Sequence, residues 1–92
     1  MTTLYYRTEV KNSNIHGQGR FTIEPIEPGS VVLHIDGNIY KNENNSYVNH
    51  SRNNNLDWNG SNGWIANKFI YAGEELTMDY SQWVDITHLS WY

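Results

Sequence analysis

Turn-forming residues break this sequence at short intervals from one end to the other. The stretch NSNIHGQG at 12–19, then Pro28-Gly29, Asp36-Gly37, Asn59-Gly60, Asn62-Gly63 and Ala72-Gly73, each bends the backbone. Pro28-Gly29 has the order expected at the centre of a type II turn, and the two Asn-Gly pairs are type I′ hairpin signals. Thirteen of the 92 residues are Asn, which favours turns and left-handed backbone over helix interiors. No stretch carries the i, i+3, i+4 apolar stripe of an amphipathic helix. The fold class that follows is mostly β, built of short strands.

The segments between the turns set the expected strands. Residues 4–11 mix aromatic, β-branched and polar side chains and read as one strand, which resumes at 21–23 after the glycine-bearing loop. VVLHI at 31–35 is the strongest strand. Ile39-Tyr40 reads as a short strand, and 64–66, 68–71 and 75–78 as three more. Residues 41–46 and 49–55 are polar loops. Residues 81–92 are aromatic and read as a short helix or a packed tail. Four Trp and seven Tyr give a chain of this length its core material. With no repeat or linker in sight, residues 1–92 read as a single domain.

Composition removes several functions. Cys is absent, which excludes disulfides, thiolate zinc sites and Cys nucleophiles. The four His, at 16, 34, 50 and 88, show no ligand spacing, so no metal site is expected. The net charge is −4 and no Lys/Arg run exists, which disfavours a phosphate-tracking nucleic-acid binder and suits a cationic partner. No apolar run reaches the roughly 20 residues that span a bilayer, so no membrane partner is expected. The chain reads as cytoplasmic. Its compact, Asn-rich character would suit a viral or phage protein acting in a host cell.

Taken one at a time, the polar motifs are ambiguous. Gly17-Gln18-Gly19 is a turn on local grounds, although paired glycines also let backbone approach a ligand closely. Asn49-His50-Ser51 with Asn55 is an Asx-rich turn or a polar site. Glu74-Glu75 reads as a solvated turn exit, since neighbours on a strand point to opposite faces and cannot act as a facing dyad. Tyr80 reads as a buried phenol with a satisfied hydroxyl.

Their order is more specific than any one of them. Ser13-x-x-His16-Gly17-x-Gly19-Arg20-Phe21 comes first, followed by Ile26-x-Pro28-Gly29-x-Val31-Val32 and Asp36-Gly37. Tyr47-Val48-Asn49-His50-Ser51-x-x-x-Asn55 and Ala72-Gly73-Glu74-Glu75-Leu76-Thr77-Met78-Asp79-Tyr80 complete the series. Over roughly residues 6–80 this series resembles a SET domain, the lysine methyltransferase family with a β-clip fold and a C-terminal pseudoknot.

The resemblance implies a minimal SET domain that uses S-adenosyl-L-methionine to methylate a lysine of a protein or peptide substrate, itself basic. It implies that the loop Gly17, Gln18, Gly19, Arg20 contacts the cofactor through its backbone. Asn49 would hydrogen-bond the cofactor, and the His50 backbone would meet its adenine. Asn55 would fix that loop. Tyr80 would be the catalytic phenol, with Tyr47 lining the lysine channel. The family's usual insert is reduced here to nine residues, 38–46, and no Cys-rich segment follows the domain. Trp83, Trp91 and Tyr92 are the aromatics expected to take over the covering of the cofactor, and a homo-oligomer would complete the substrate groove. Met78 stands where the family often has an aromatic that limits the number of methyls added. The alternative is a SET-fold binding module without turnover, acting through protein–protein contact.

Overall fold

The computed structural model describes residues 2–35 and 47–82, the side chains of Thr2 and Ile35 excepted. The expected turn at Asp36-Gly37, the strand at Ile39-Tyr40, the loop at 41–46 and the aromatic segment from Trp83 onward lie outside the described residues. The regular structure is β1 (Thr2–Leu4), β2 (Thr8–Asn12), β3 (Gln18–Thr22), β4 (Val31–Ile35), β5 (Asn49–His50), β6 (Leu56–Trp58), β7 (Gly63–Ala66) and β8 (Thr77–Met78). A 3₁₀ turn at Tyr80–Gln82 closes the described chain. The fold is mostly β, and the described residues contain no α-helix.

Two sheets form. β2 and β3 make an antiparallel hairpin from Thr8↔Thr22 to Asn12↔Gln18. The other six strands run in the order β1-β4-β7-β6-β8-β5. The strand expected at 4–11 is therefore two strands. Leu4 pairs with Leu33 in the large sheet and Thr8 with Thr22 in the hairpin, so the chain must break between them to change partners. The strand expected at 68–71 reduces to one bridge, Ile26↔Ile70. Pro25 and Pro28 flank that site, and neither has an N–H with which to extend a ladder.

The turns follow backbone chemistry. Gly29 at φ 83° and Gly73 at φ 94° take the left-handed position of type II turns. Their closing bonds run from Ser30 N–H to Glu27 O and from Glu74 N–H to Tyr71 O. β6 and β7 form a hairpin whose loop spans residues 59–62, longer than the two-residue turn that either Asn-Gly pair suggested. The Asn59 side-chain oxygen accepts the N–H groups of Ser61, Asn62 and Gly63, which supports the longer loop.

The core is a layer of fully buried side chains, with Trp64 the largest, joined by Ile26, Val32, Leu33, Val48, Leu56, Ile70 and Leu76. β8 lies between β5 and β6 and runs parallel to both, with Asn49↔Thr77 on one side and Leu56↔Met78 on the other. The ends of segment 49–58 thus flank a strand that arrives much later in the chain. Asn55, only 7% exposed, fastens this insertion. Its Nδ2 donates to Glu75 O at 2.9 Å, and its Oδ1 accepts Thr77 N–H at 2.8 Å.

Candidate functional site

The β2–β3 loop, β5 and the approach to β8 meet around Asn49. Its amide Nδ2 lies 3.2 Å from Ser13 Oγ, 3.1 Å from His16 O, 3.2 Å from Gln18 O and 2.9 Å from Glu75 Oε2. Two carbonyls and a carboxylate can only accept, which fixes which end of the amide is nitrogen. The Oδ1 end accepts no hydrogen bond from the described residues. Ser13 Oγ donates to both oxygens of Glu75 at 2.8 Å and accepts the Ile15 N–H at 2.9 Å. Gly19 is buried at this junction. A Cβ there would stand 2.2 Å from Glu75 Oε2 and 3.1 Å from Asn49 Nδ2, so the close approach requires glycine. Gly17 has a different reason: it takes φ 46° in open space, to turn the loop.

The parallel pairing of β5 with β8 brings the 3₁₀ turn beside His50. The Tyr80 N–H donates to His50 Nδ1 at 3.1 Å, and the two rings are 5.1 Å apart. A ring nitrogen that accepts places the imidazole proton on Nε2. Burial, opposed by Asp79 and assisted by Arg52, lowers the His50 pKa, so the neutral ring is favoured. Asp79 Oδ1 lies 3.9 Å from the same Nδ1 and accepts the Ser81 N–H and hydroxyl. The Tyr80 hydroxyl donates to Val48 O at 2.6 Å, which holds the phenol against the residue preceding Asn49.

A cleft of about 540 Å³ opens between these parts, lined by Ile15, His16, Asn49, His50 and Tyr80. Asn49, His50 and Tyr80 thus converge from positions 49 to 80, and Ile15 and His16 of the β2–β3 loop form the facing wall, with Gly17, Gln18 and Gly19 outside the lining. Gln18 takes part through its carbonyl. Arg20 is turned elsewhere: its guanidinium donates to Thr8 Oγ1 at 2.6 Å, while its backbone oxygen accepts the Leu76 N–H. Tyr47 is 46% exposed, with φ 57°, and does not line the cleft. Met78 is buried in the core. Trp83 lies outside the described residues. No cluster of His, Asp and Glu suited to a metal occurs among the described residues.

The SET domain family model matches residues 5–81. The chain belongs to the SET-domain family. Its fold is similar to that of a candidate histone methyltransferase from Plasmodium falciparum, known from a crystal structure. The TM-score is 0.59 over 97% of this chain and 100% of the other, at 16% identity. No curated protein gives a significant match.

Within this SET domain, sequence reasoning missed residues that hold the cleft in shape. Glu75 is half-buried and bonded to Ser13 and Asn49, rather than the solvated charge expected of a turn exit. The alternation of faces carried the signal: Glu74 caps its own turn by accepting the Tyr71 N–H, so its neighbour must point the other way. Gln82 is the second. Its Oε1 accepts the Trp58 N–H and its Nε2 donates to Asp57 Oδ1, docking the Tyr80 turn onto β6. Burial alone would raise the Asp57 pKa, but hydrogen bonds from Gln82, Asn67 and Asn54, with Lys68 nearby, bring it below the usual value.

Proposed function

We propose that this chain, taken as one minimal SET domain, is an S-adenosyl-L-methionine-dependent protein-lysine N-methyltransferase. The observation that carries the reading is the shared cleft of Asn49, His50 and Tyr80 against Ile15 and His16 of the β2–β3 loop. Family membership and the methyltransferase-like neighbour support it. We read the placement of β8 between β5 and β6 as the pseudoknot that brings the phenol to the cofactor wall.

The residues present fit an amino-acid–nucleoside ligand. The cleft volume lies in the range of about 300–1,000 Å³ usual for small-molecule sites. With Nδ2 committed to the protein, Asn49 meets a ligand as an acceptor through Oδ1, which suits an ammonium group. The backbone of residues 15–19 and of His50 would hold the remainder. When bound, the cofactor supplies an electrophilic methyl whose S–C bond breaks as the amine N–C bond forms, sulfur keeping the electron pair as a neutral thioether. The acceptor lysine must first release a proton to water, because an ammonium has no lone pair. Tyr80, with its proton committed to Val48, meets the reacting groups with oxygen lone pairs. His50 and Gln82 hold the turn that carries it. The substrate would be a lysine-bearing protein or peptide segment.

Calorimetric titration with S-adenosylmethionine and its demethylated product tests this first. Binding of both is expected, and binding of neither would remove the reading. Methyl transfer to a panel of basic peptides follows. Tyr80→Phe should leave cofactor affinity intact and lower turnover by about 100-fold. Unchanged turnover would strip Tyr80 of its role.

A further inference from the structure

The structure singles out one charge that the reading above leaves unused. Glu75 lies directly behind the cleft wall, bonded to Asn49 Nδ2 at 2.9 Å and in van der Waals contact with Gly19 of the facing loop. It is half-buried, and among the described residues no Lys, Arg or His forms an ion pair with it. All three hydrogen bonds to its carboxylate come from the neutral donors Ser13 and Asn49, which localise the negative charge without cancelling it. On the hairpin side, the Arg20 guanidinium donates to Thr8, and the Lys11 ammonium lies over the Phe21 ring at 4.6 Å. On the other side, Asp79 stands behind His50, with Arg52 close enough to act on the same ring.

We propose that Glu75 is a specificity-determining residue of the cleft, favouring a ligand with one more positive charge over an otherwise identical neutral one. The inference rests on the methyltransferase reading and deepens it. The methyl donor carries a sulfonium and its product a neutral thioether, so the two differ by one unit of charge at one atom. A fixed carboxylate behind Asn49 then holds the donor more tightly and weakens its hold on the product once the sulfonium charge is gone. Charges separated by a partly solvated wall still interact with useful strength, because the effective dielectric there is well below that of water.

The test compares the dissociation constants of S-adenosylmethionine and S-adenosylhomocysteine by calorimetry, for wild type, Glu75→Gln and Ser13→Ala. Glu75→Gln keeps the shape and removes the charge. The ratio of the two affinities should shift about five- to tenfold towards the neutral thioether. Ser13→Ala removes a neutral bond to the same carboxylate, so both ligands should weaken together with the ratio unchanged. Equal weakening of both ligands in Glu75→Gln would overturn the proposal and leave Glu75 as a structural tie. If wild type binds neither ligand, the methyltransferase reading falls first and this one with it. If circular dichroism shows that Glu75→Gln does not fold, Glu75→Asp takes its place. That variant keeps the charge and must keep the wild-type ratio, and loss of the ratio there would equally overturn the proposal.

Discussion

Replacing Asn55 by Ala probes the insertion that assembles the site. The side chain is 7% exposed and Thr77, its partner, 6%. Truncation leaves two backbone groups without their partner: Glu75 O, bonded at 2.9 Å, and Thr77 N–H, bonded at 2.8 Å. A buried polar group left unsatisfied costs about 1–3 kcal/mol, so the pair gives about 2–6 kcal/mol, reduced wherever water enters the space. A domain of this length has about 5–14 kcal/mol in total. At roughly 4–8 °C per kcal/mol, the melting temperature should fall by about 10–50 °C. Urea unfolding followed by circular dichroism measures the loss directly, and an unchanged m-value would show that the unfolded state is unaffected. Asn54→Ala is the control. Its amide bonds Leu56 O and Asp57 Oδ1 from a half-buried position, and its loss should cost about 1 kcal/mol. A cost for Asn55→Ala below about 1 kcal/mol, or no greater than that of Asn54→Ala, would refute the view that this amide fastens β8 in place.

Four further substitutions separate local causes. Gly19→Ala should cost about 1–3 kcal/mol and weaken cofactor binding, because its Cβ would meet a carboxylate already tied down by Ser13 and Asn49. Gly17→Ala, in open space, should cost only the left-handed backbone term of about 1–2 kcal/mol and spare binding, and equal binding loss in both would contradict the distinction. The lowered pKa of His50 means that the unfolded chain takes up its proton first. Its contribution to stability is full above the ordinary histidine value of about 6.5 and is lost as pH falls through that value towards the lowered one. Urea midpoints from pH 8 to 5 should therefore drop more steeply in wild type than in His50→Gln. Tyr47→Asn should raise the unfolding free energy measured in urea by about 0.5–1 kcal/mol, since φ 57° suits Asn and strains an aromatic, and a lower value would show that the Tyr47 ring contributes more than its backbone costs.

What the sequence made legible depended on how many residues carried each signal. β4 matched its expected bounds because five consecutive apolar or β-forming residues leave little choice of conformation. β6 was missed because three residues, Leu56–Trp58, show no periodicity, and their strand exists only because β7 and β8 lie on either side. Ile70 belongs to the core, yet a single bridge to Ile26 is all that two flanking prolines permit. The glycine loop invited two readings: Gly17 turns the chain through its backbone angle, and the close approach that Gly19 allows is to Glu75 and Asn49 of the chain itself. The meeting of Asn49 with Tyr80 could be read only from the order of motifs, since nothing local links residues 31 positions apart.

The abundance of Asn shows why composition stopped short of the site. Asn59 does what a turn-former should, capping three N–H groups within four residues of itself. Asn49, Asn55 and Asn67 use the same amide differently, bonding segments that lie far away in the chain. β5 and β8 have two residues each, too few for ladder hydrogen bonds alone to hold a strand between two others. Amide side chains supply what the short ladders lack, because one amide can donate to a carbonyl and accept from an N–H on the same neighbouring strand. Local sequence cannot separate the two uses, since an Asn that turns the chain and one that spans it have the same small polar neighbours. What separates them is the strand arriving opposite, and for Asn55 that strand begins 22 residues later at Thr77. A chain this small therefore builds its cleft from side chain to backbone, and the residues that position Tyr80 are the ones that composition assigned to loops.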